Sequence, residues 1–365
     1  MSSKTHSVLI VDDSQLVREV VRDRIAGFAE FTVVGMATNG EEALRMVHTL
    51  EPDVVTLDVE MPGIDGLHAL GYIMSETPRP VVMLSGATTR GGVDLTIRAF
   101  ELGALEFVRK PEPRAKDGWD AVAPRLHDAL LAAVRANTAV PMLAHSLVRA
   151  PARIARSATP PRPADAAVVI ACSTGGPRAL AEIIPALHGQ LNAAVLIAQH
   201  MPPGFTAGLA RRLDQLSALP VREAQSGEPV LAGRAYVAPG GRHLEVTRDG
   251  AGPRFVLTEN PPMHGVRPAA DPLLTSAAQV FGARTVGVVL TGMGRDGANG
   301  LLAVRAAGGG ALVQDRASSA VYGMPQQALQ HAGADAEIAL ADMAVAIERA
   351  VASAIARSTP TRSGP

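Results

Sequence analysis

Val168-Val169-Ile170-Ala171-Cys172-Ser173-Thr174-Gly175-Gly176-Pro177 lies near the middle of the chain. Its first four residues are apolar and mostly β-branched, which suits a strand buried on both faces of a parallel sheet. Ser-Thr-Gly-Gly then stops the strand. Pro177 with Arg178-Ala179-Leu180-Ala181-Glu182-Ile183-Ile184 reads as a helix opening, since proline is tolerated where its missing N–H has no intrahelical acceptor. Ser173 therefore falls at a strand-to-helix corner, where open α/β sheets place their chemistry. A hydroxyl there faces free backbone N–H groups and the positive end of a helix, a setting that favours developing negative charge. Taken alone, the stretch suits a helix N-cap with a tight turn, or a phosphate-binding loop, better than it suits catalysis. The rest of the chain reverses that weighting.

A length of 365 residues accommodates two domains with full cores. With 47% hydrophobic and 19% charged residues, the composition is that of a globular protein. A net charge of −1 leaves no basic footprint, so no nucleic-acid partner is implied. One cysteine excludes an intramolecular disulfide framework and a cysteine-rich zinc site, and it fits a reducing compartment. No apolar run approaches the roughly 20 residues of a membrane span. The opening Met-Ser-Ser-Lys-Thr-His lacks an apolar signal-peptide core. A cytoplasmic location without membrane insertion is expected.

In the first segment, to about residue 135, Ser7–Val11 reads as a buried strand followed by Asp12-Asp13-Ser14. Strand-like runs recur at Phe31–Met36, Asp53–Leu57, Pro80–Leu84 and Leu105–Val108. Helical patterns such as Leu16–Ile25, Glu41–Leu50 and Val93–Leu102 lie between them. That alternation predicts a doubly wound parallel sheet, whose strand ends converge on one crevice. Asp12 and Asp13 follow the first strand, Asp58 the third, Ser85 the fourth and Lys110 the fifth. Carboxylates meeting at one edge repel unless a cation joins them, and hard oxygen ligands suit Mg²⁺. A lysine and a hydroxyl beside them predict phosphorylation of an aspartate. Each residue alone has a plainer reading, Asp-Asp-Ser as an N-cap cluster and Asp58 as a turn residue, but their placement at successive strand ends argues for a site.

Trp119–Ala136 carries apolar residues at helical spacing and closes this segment. From Asn137 to Ala166 the chain turns to Pro, Ala, Arg, Ser and Thr, which predicts a solvated linker. The second segment opens with the quoted strand. Ala193–Ala198 is a further buried strand that runs into Gln199-His200-Met201-Pro202-Pro203-Gly204. Thr285–Leu290 is another, ending in Thr291-Gly292-Met293-Gly294-Arg295-Asp296-Gly297. Short strands at Arg234–Val237 and His243–Val246, around Pro239-Gly240-Gly241, and at Arg254–Leu257 predict a β-hairpin excursion from the parallel sheet. Ser173, His200 and Asp296 stand past the ends of three apolar strands and can converge if those strands are neighbours. A serine hydroxyl becomes nucleophilic when a histidine takes its proton and an aspartate orients the imidazole. The order Ser, His, Asp is not that of α/β-hydrolases, and Gly-x-Ser-x-Gly is absent. His243 and His264 are rival bases, each better suited to a surface or structural role. Cys172 points to the other face from Ser173, as an inert thiol. A dinucleotide site is disfavoured by the missing Gly-x-Gly-x-x-Gly.

The first segment resembles a response-regulator receiver domain over its whole length. The resemblance implies Asp12 and Asp13 as the acidic metal pair, Asp58 as phosphoacceptor, and the Glu60 carbonyl as a further Mg²⁺ ligand. It also implies Ser85 and Phe107 as switch residues beside Lys110, with the Lys110–Pro111 bond commonly cis. The second segment resembles the catalytic domain of chemotaxis protein-glutamate methylesterases (CheB-type). Ala171–Pro177, Gln199–Pro202, Thr291–Gly297, Ala238–His243 and Tyr322–Pro325 carry that likeness. It implies Ser173 as nucleophile, His200 as base, Asp296 as its orienter, and backbone N–H groups near Thr174 and Met293 as oxyanion donors, with no cofactor. The loop Pro261–Pro268 departs from the family's more basic run. The domains expected are a flavodoxin-like receiver at 1–135, a linker at 136–165, a Rossmann-like esterase at 166–356 and a tail at 357–365. The expected function is phosphorylation-controlled removal of methyl groups from chemoreceptor glutamate esters, with deamidation of receptor glutamines. Expected partners are methyl-accepting receptors and a histidine kinase, and the protein is expected to be a monomer. A catalytically silent response regulator is the alternative, against which the intact triad argues.

Overall fold

A computed structural model of the chain describes residues 5–86, 90–112, 118–136 and 162–357. The chain divides into two compact units, residues 1–148 and 149–365. Most of the expected linker (137–161) and of the expected tail (358–365) lies outside the described residues. No helix among the described residues is long and apolar enough to cross a membrane.

The first unit alternates β1 (His6–Val11), α1 (Gln15–Ala26), β2 (Phe31–Ala37), α2 (Gly40–Leu50), β3 (Val54–Asp58), α3 (Gly66–Glu76), β4 (Val81–Ser85), α4 (Arg90–Glu101), β5 (Glu106–Arg109) and α5 (Gly118–Arg135). The strands form one parallel sheet in the order β2-β1-β3-β4-β5, which is flavodoxin-like. β3 and β4 are buried along their whole length, hence their continuous apolar runs. Short polar side chains start the helices: Ser14, Asn39 and Asp65 each accept a hydrogen bond from a first-turn N–H of α1, α2 and α3. The strand ends predicted to carry Asp12, Asp58, Ser85 and Lys110 stand where the spacing put them.

The second unit contains β6 (Ala167–Cys172), α6 (Gly176–Ala186), β7 (Ala194–Gln199), α7 (Phe205–Leu216), β8 (Val221–Glu223) and β9 (Arg234–Val237). There follow β10 (His243–Asp249), β11 (Gly252–Thr258), α8 (Ala270–Phe281), β12 (Thr285–Val289) and α9 (Ala298–Ala306). The unit ends with β13 (Gly310–Gln314), α10 (Gly323–Ala332), β14 (Ala336–Ile338) and α11 (Leu340–Arg357). Seven parallel strands run in the order β14-β13-β12-β6-β7-β9-β8, and β10 and β11 form a separate antiparallel pair. Arg234–Val237 is thus a parallel strand beside β7, and the hairpin is made by β10 and β11 alone. The rings of Tyr236 on β9 and Phe255 on β11 meet edge to face at 4.8 Å and tie the hairpin to the sheet. Residues 162–165, expected as linker, are bonded to this unit: the Ala164 N–H donates to Val230 O at 2.9 Å, and the Ala232 N–H to Arg162 O at 3.0 Å.

From β6 the chain moves to β7 on one side and returns later as β12 on the other. The carboxyl ends of β7, β6 and β12 therefore border one crevice at a topological switch point.

In the first unit Gly66 opens α3 against the backbone of Asp58: an added Cβ would collide with the Asp58 carbonyl and press on the Val59 Cα. Gly66→Ala should destabilise this unit by about 1–3 kcal/mol, the usual cost of overpacking. Trp119, the only tryptophan, packs against this unit's core, so its fluorescence during urea unfolding measures the loss. An unchanged midpoint would contradict the contact.

Candidate active site and acidic crevice

Ser173 follows β6 directly. Its backbone N–H donates to Thr291 O at 3.0 Å, and its carbonyl accepts from the Gly176 N–H at 2.7 Å. The N-cap of α6 is Gly175, with φ +77° and no side-chain cap, so Ser173 does not cap the helix. Pro177 occupies the first turn, as proline can. The half-buried Ser173 side chain thus stands at the corner between strand and helix.

His200 follows β7, and its Nε2 lies 2.7 Å from Asp296 Oδ2. Asp296 is 2% exposed. Burial pushes its carboxyl up, but the hydrogen bond and charge of His200 and the N–H groups of Ala270 and Asp271 outweigh this and hold it below the usual carboxylate value. Those N–H groups, at 2.6 Å and 3.0 Å, belong to the first turn of α8, and Gly297 adds a third at 3.0 Å. With Nε2–H donated to Asp296, Nδ1 is the basic nitrogen of His200. The structure therefore joins His200 to Asp296 and puts Ser173 on the neighbouring strand end. No hydrogen bond connects the Ser173 hydroxyl to His200 among the described residues. Such contacts often tighten only around a substrate.

The rival histidines have other tasks. His243 is buried, accepts the Ala269 N–H at Nδ1 (3.1 Å), and donates from Nε2 to Pro261 O (3.2 Å). Both ring nitrogens are engaged in holding the 261–269 loop. His264 pairs with Asp271 at 2.8 Å. Cys172 is fully buried and burial pushes its thiol up, which suits an inert group.

Asp271 was not legible from sequence. It is 3% exposed, and its Oδ1 accepts the N–H groups of Gly297 (3.0 Å) and Gly300 (2.7 Å), which start α9. Its only sequence signal is an acidic residue in the first turn of a helix. His264, Asp271 and Asp296 bring three ligand-type atoms within 4.8 Å of one another. All four carboxylate oxygens already accept hydrogen bonds, so this set does not fit a cation.

In the first unit Asp12, Asp13 and Asp58 each offer one carboxylate oxygen within a 4.8 Å cluster. This is a hard-oxygen set that fits a divalent cation. Lys110 Nζ lies 2.6 Å from Asp12 Oδ2 and 2.8 Å from Asp58 Oδ2. Burial pushes the Asp58 carboxyl up to about 6 against the opposing charge of Lys110, and Asp12 adds to the rise. Ser85 and Phe107 are buried on β4 and β5. The Lys110–Pro111 bond is not cis; among the described residues the one cis peptide precedes Pro268.

Residues 8–116 match the response regulator receiver domain, and residues 168–347 match the CheB methylesterase family. A protein-glutamate methylesterase/protein-glutamine glutaminase of Pyrococcus abyssi is 45% identical over 94% of this chain and 93% of its own length. One from Symbiobacterium thermophilum is 44% identical over 94% of this chain and 96% of its own. The crystal structure of the Thermotoga maritima CheB methylesterase catalytic domain aligns with a TM-score of 0.50 at 40% identity, over 50% of this chain and 97% of that one. Strand order, crevice and likeness over nearly the full length agree, and the chain belongs to the family of protein-glutamate methylesterases/protein-glutamine glutaminases that join a receiver domain to a CheB methylesterase domain.

Proposed function

We propose that the chain hydrolyses glutamate γ-methyl esters of chemoreceptors, releases methanol, and deamidates receptor glutamines by the same chemistry. The observation that carries this reading is the His200 imidazole held at 2.7 Å by a buried, ionised Asp296 beside the strand end of Ser173. In the reaction Ser173 Oγ attacks the ester carbonyl while its proton passes to His200 Nδ1. The tetrahedral oxyanion is met by backbone N–H groups near Thr174 and Met293; among the described residues the Met293 N–H donates to no other group. Collapse breaks the carbon–methoxy bond, and His200 returns the proton so that methanol leaves. Water then attacks the seryl ester with His200 again as base, His200 returns that proton to Ser173 Oγ as its bond to the acyl carbon breaks, and glutamate is released. Asp296 stays ionised throughout and stabilises the imidazolium. With a glutamine side chain the leaving group is ammonia. No cofactor is needed in this scheme.

The same reading takes residues 1–135 as receiver and 136–161 as linker, gives 162–165 to the esterase because they bond to its unit, ends the esterase with α11 at Arg357, and leaves 358–365 as tail. Asp58 is the phosphoacceptor, and a histidine kinase is the physiological donor. Asp12, Asp13, Asp58 and the Glu60 carbonyl are the proposed ligands of Mg²⁺, which when bound neutralises charge on the transferring phosphoryl group. Lys110 supplies a fixed positive charge to that group, and Ser85 and Phe107 transmit its presence. Phosphorylation then releases the esterase from restraint; a bias of only ~1.4 kcal/mol shifts such an equilibrium tenfold. The protein is expected to act in the cytoplasm as a monomer.

Methanol release from methylated receptor membranes tests the reading. Ser173→Ala and His200→Ala should each lower kcat by about 10⁴-fold or more, and Asp296→Asn by about 10²–10⁴-fold. Activity that survives His200→Ala but not His243→Ala would move the base to His243.

Acetyl phosphate with Mg²⁺ should label the wild-type chain and speed methanol release. Asp58→Asn should abolish both effects, and Lys110→Ala should keep the label but lose the acceleration. Equal labelling of Asp58→Asn and wild type contradicts the assignment.

Because the folded-state pKa of Asp296 is lowered, its ionised form stabilises the second unit above the ordinary carboxylate value near 3.8. That contribution is lost as pH falls through the depressed value. The stability gap between wild type and Asp296→Asn, read by urea unfolding, should narrow below about pH 4. A gap that persists undiminished to about pH 2 would show that the charge is not what Asp296 contributes.

A further inference from the structure

Gln199 ends β7 and is 2% exposed. The β6–β7 ladder runs out at Cys172 and Gln199, with a last backbone bond from the His200 N–H to Cys172 O at 3.2 Å. Beyond that point the Ser173 N–H turns away to Thr291 on the other side. The side-chain amide of Gln199 takes over: Nε2 donates to Ser173 O at 3.1 Å and to His200 O at 3.2 Å. An amide NH₂ carries two hydrogens, so one side chain can hold both carbonyls at once. The reversed amide would set Oε1 against two carbonyl oxygens, which fixes its orientation.

Oε1 is buried and, among the described residues, accepts no hydrogen bond. An unpaired buried carbonyl is destabilising, and a methionine of similar volume would avoid it. The polar group therefore has value through its two donors. The second glycine of Ser-Thr-Gly-Gly is explained by the same contact, since a Cβ on Gly176 would run into Gln199 Oε1.

We propose that Gln199 is a positioning residue of the hydrolytic site. Its amide sets the separation between the strand ends that carry Ser173 and His200, and residue 176 is glycine to admit it. This inference rests on Ser173 as nucleophile and His200 as base.

The test uses the full chain, steady-state methanol release, and the rate at which a fluorophosphonate labels Ser173. Gln199→Met keeps length and volume but removes both donors. It should lower kcat and the labelling rate per folded molecule together, by about 10–100-fold, with KM within about twofold, because misplacement of reacting groups by about 1 Å costs this much. Gly176→Ala, which keeps the amide but displaces it, should cause a loss of the same order. The double variant should be no worse than Gln199→Met alone. Should Gln199→Met not fold, Gly176→Ala carries the comparison. A labelling rate per folded molecule that equals wild type, or a loss confined to KM, overturns the positioning role. Absence of label at Ser173 in the wild-type protein overturns instead the hydrolase reading beneath it.

Discussion

The buried carboxylate of Asp296 is the constraint on which the catalytic unit depends. A carboxylate removed from water is costly unless its lone pairs are met by donors. Here the first turn of α8 supplies two N–H groups, Gly297 a third, and the His200 imidazole a fourth donor. The helix terminus adds its positive end. Three segments distant in sequence are thereby fixed to one another: the loop after β7, the start of α8 and the loop after β12. Asp271 repeats the arrangement one step further out by meeting the first N–H groups of α9 while it pairs with His264. Two acids and two helix termini interlock behind the imidazole, so that its orientation is a property of the fold and not of one side chain.

The acidic crevice of the receiver unit meets the same cost differently. Asp58 has Lys110 as its close cation and Asp12 as a neighbour of like charge, and burial leaves its carboxyl near 6. Asp296 is fully compensated by fixed donors and stays ionised. Asp58 is under-compensated, which is the condition of a site that gains from a further cation. Both crevices stand at the carboxyl ends of parallel strands, where side chains converge without disturbing the ladder.

Much of this was legible in the sequence. Strands buried on both faces announce themselves as β-branched runs, and the polar residue that ends each run marks the crevice. Hence the places of Asp58, Ser85, Ser173 and His200 at the strand ends are readable from the sequence. Other features carried no such signal. β8 and β14 have three residues each, and β13 follows a glycine-rich turn, so none shows a period. Arg234–Val237 looks the same whether its partner is a hairpin arm or a parallel strand; only packing against β7 decides. Asp271 and Gln199 act on backbone groups of segments far away in sequence, and no local pattern records such contacts. The reading of Ser173 as a helix cap failed because Gly175, in a left-handed conformation, turns the chain before the helix begins.

The central claim is that the glutamyl group passes through a covalent ester on Ser173. The most direct measurement mixes excess enzyme with a methylated receptor-derived peptide, quenches in acid within one turnover, and maps the adduct by mass spectrometry of proteolytic fragments. The account predicts the peptide attached through its glutamyl carbonyl to the fragment that holds Ser173, formed as fast as methanol appears. Methanol released at full rate with no adduct there, or with an adduct at another residue, would contradict it.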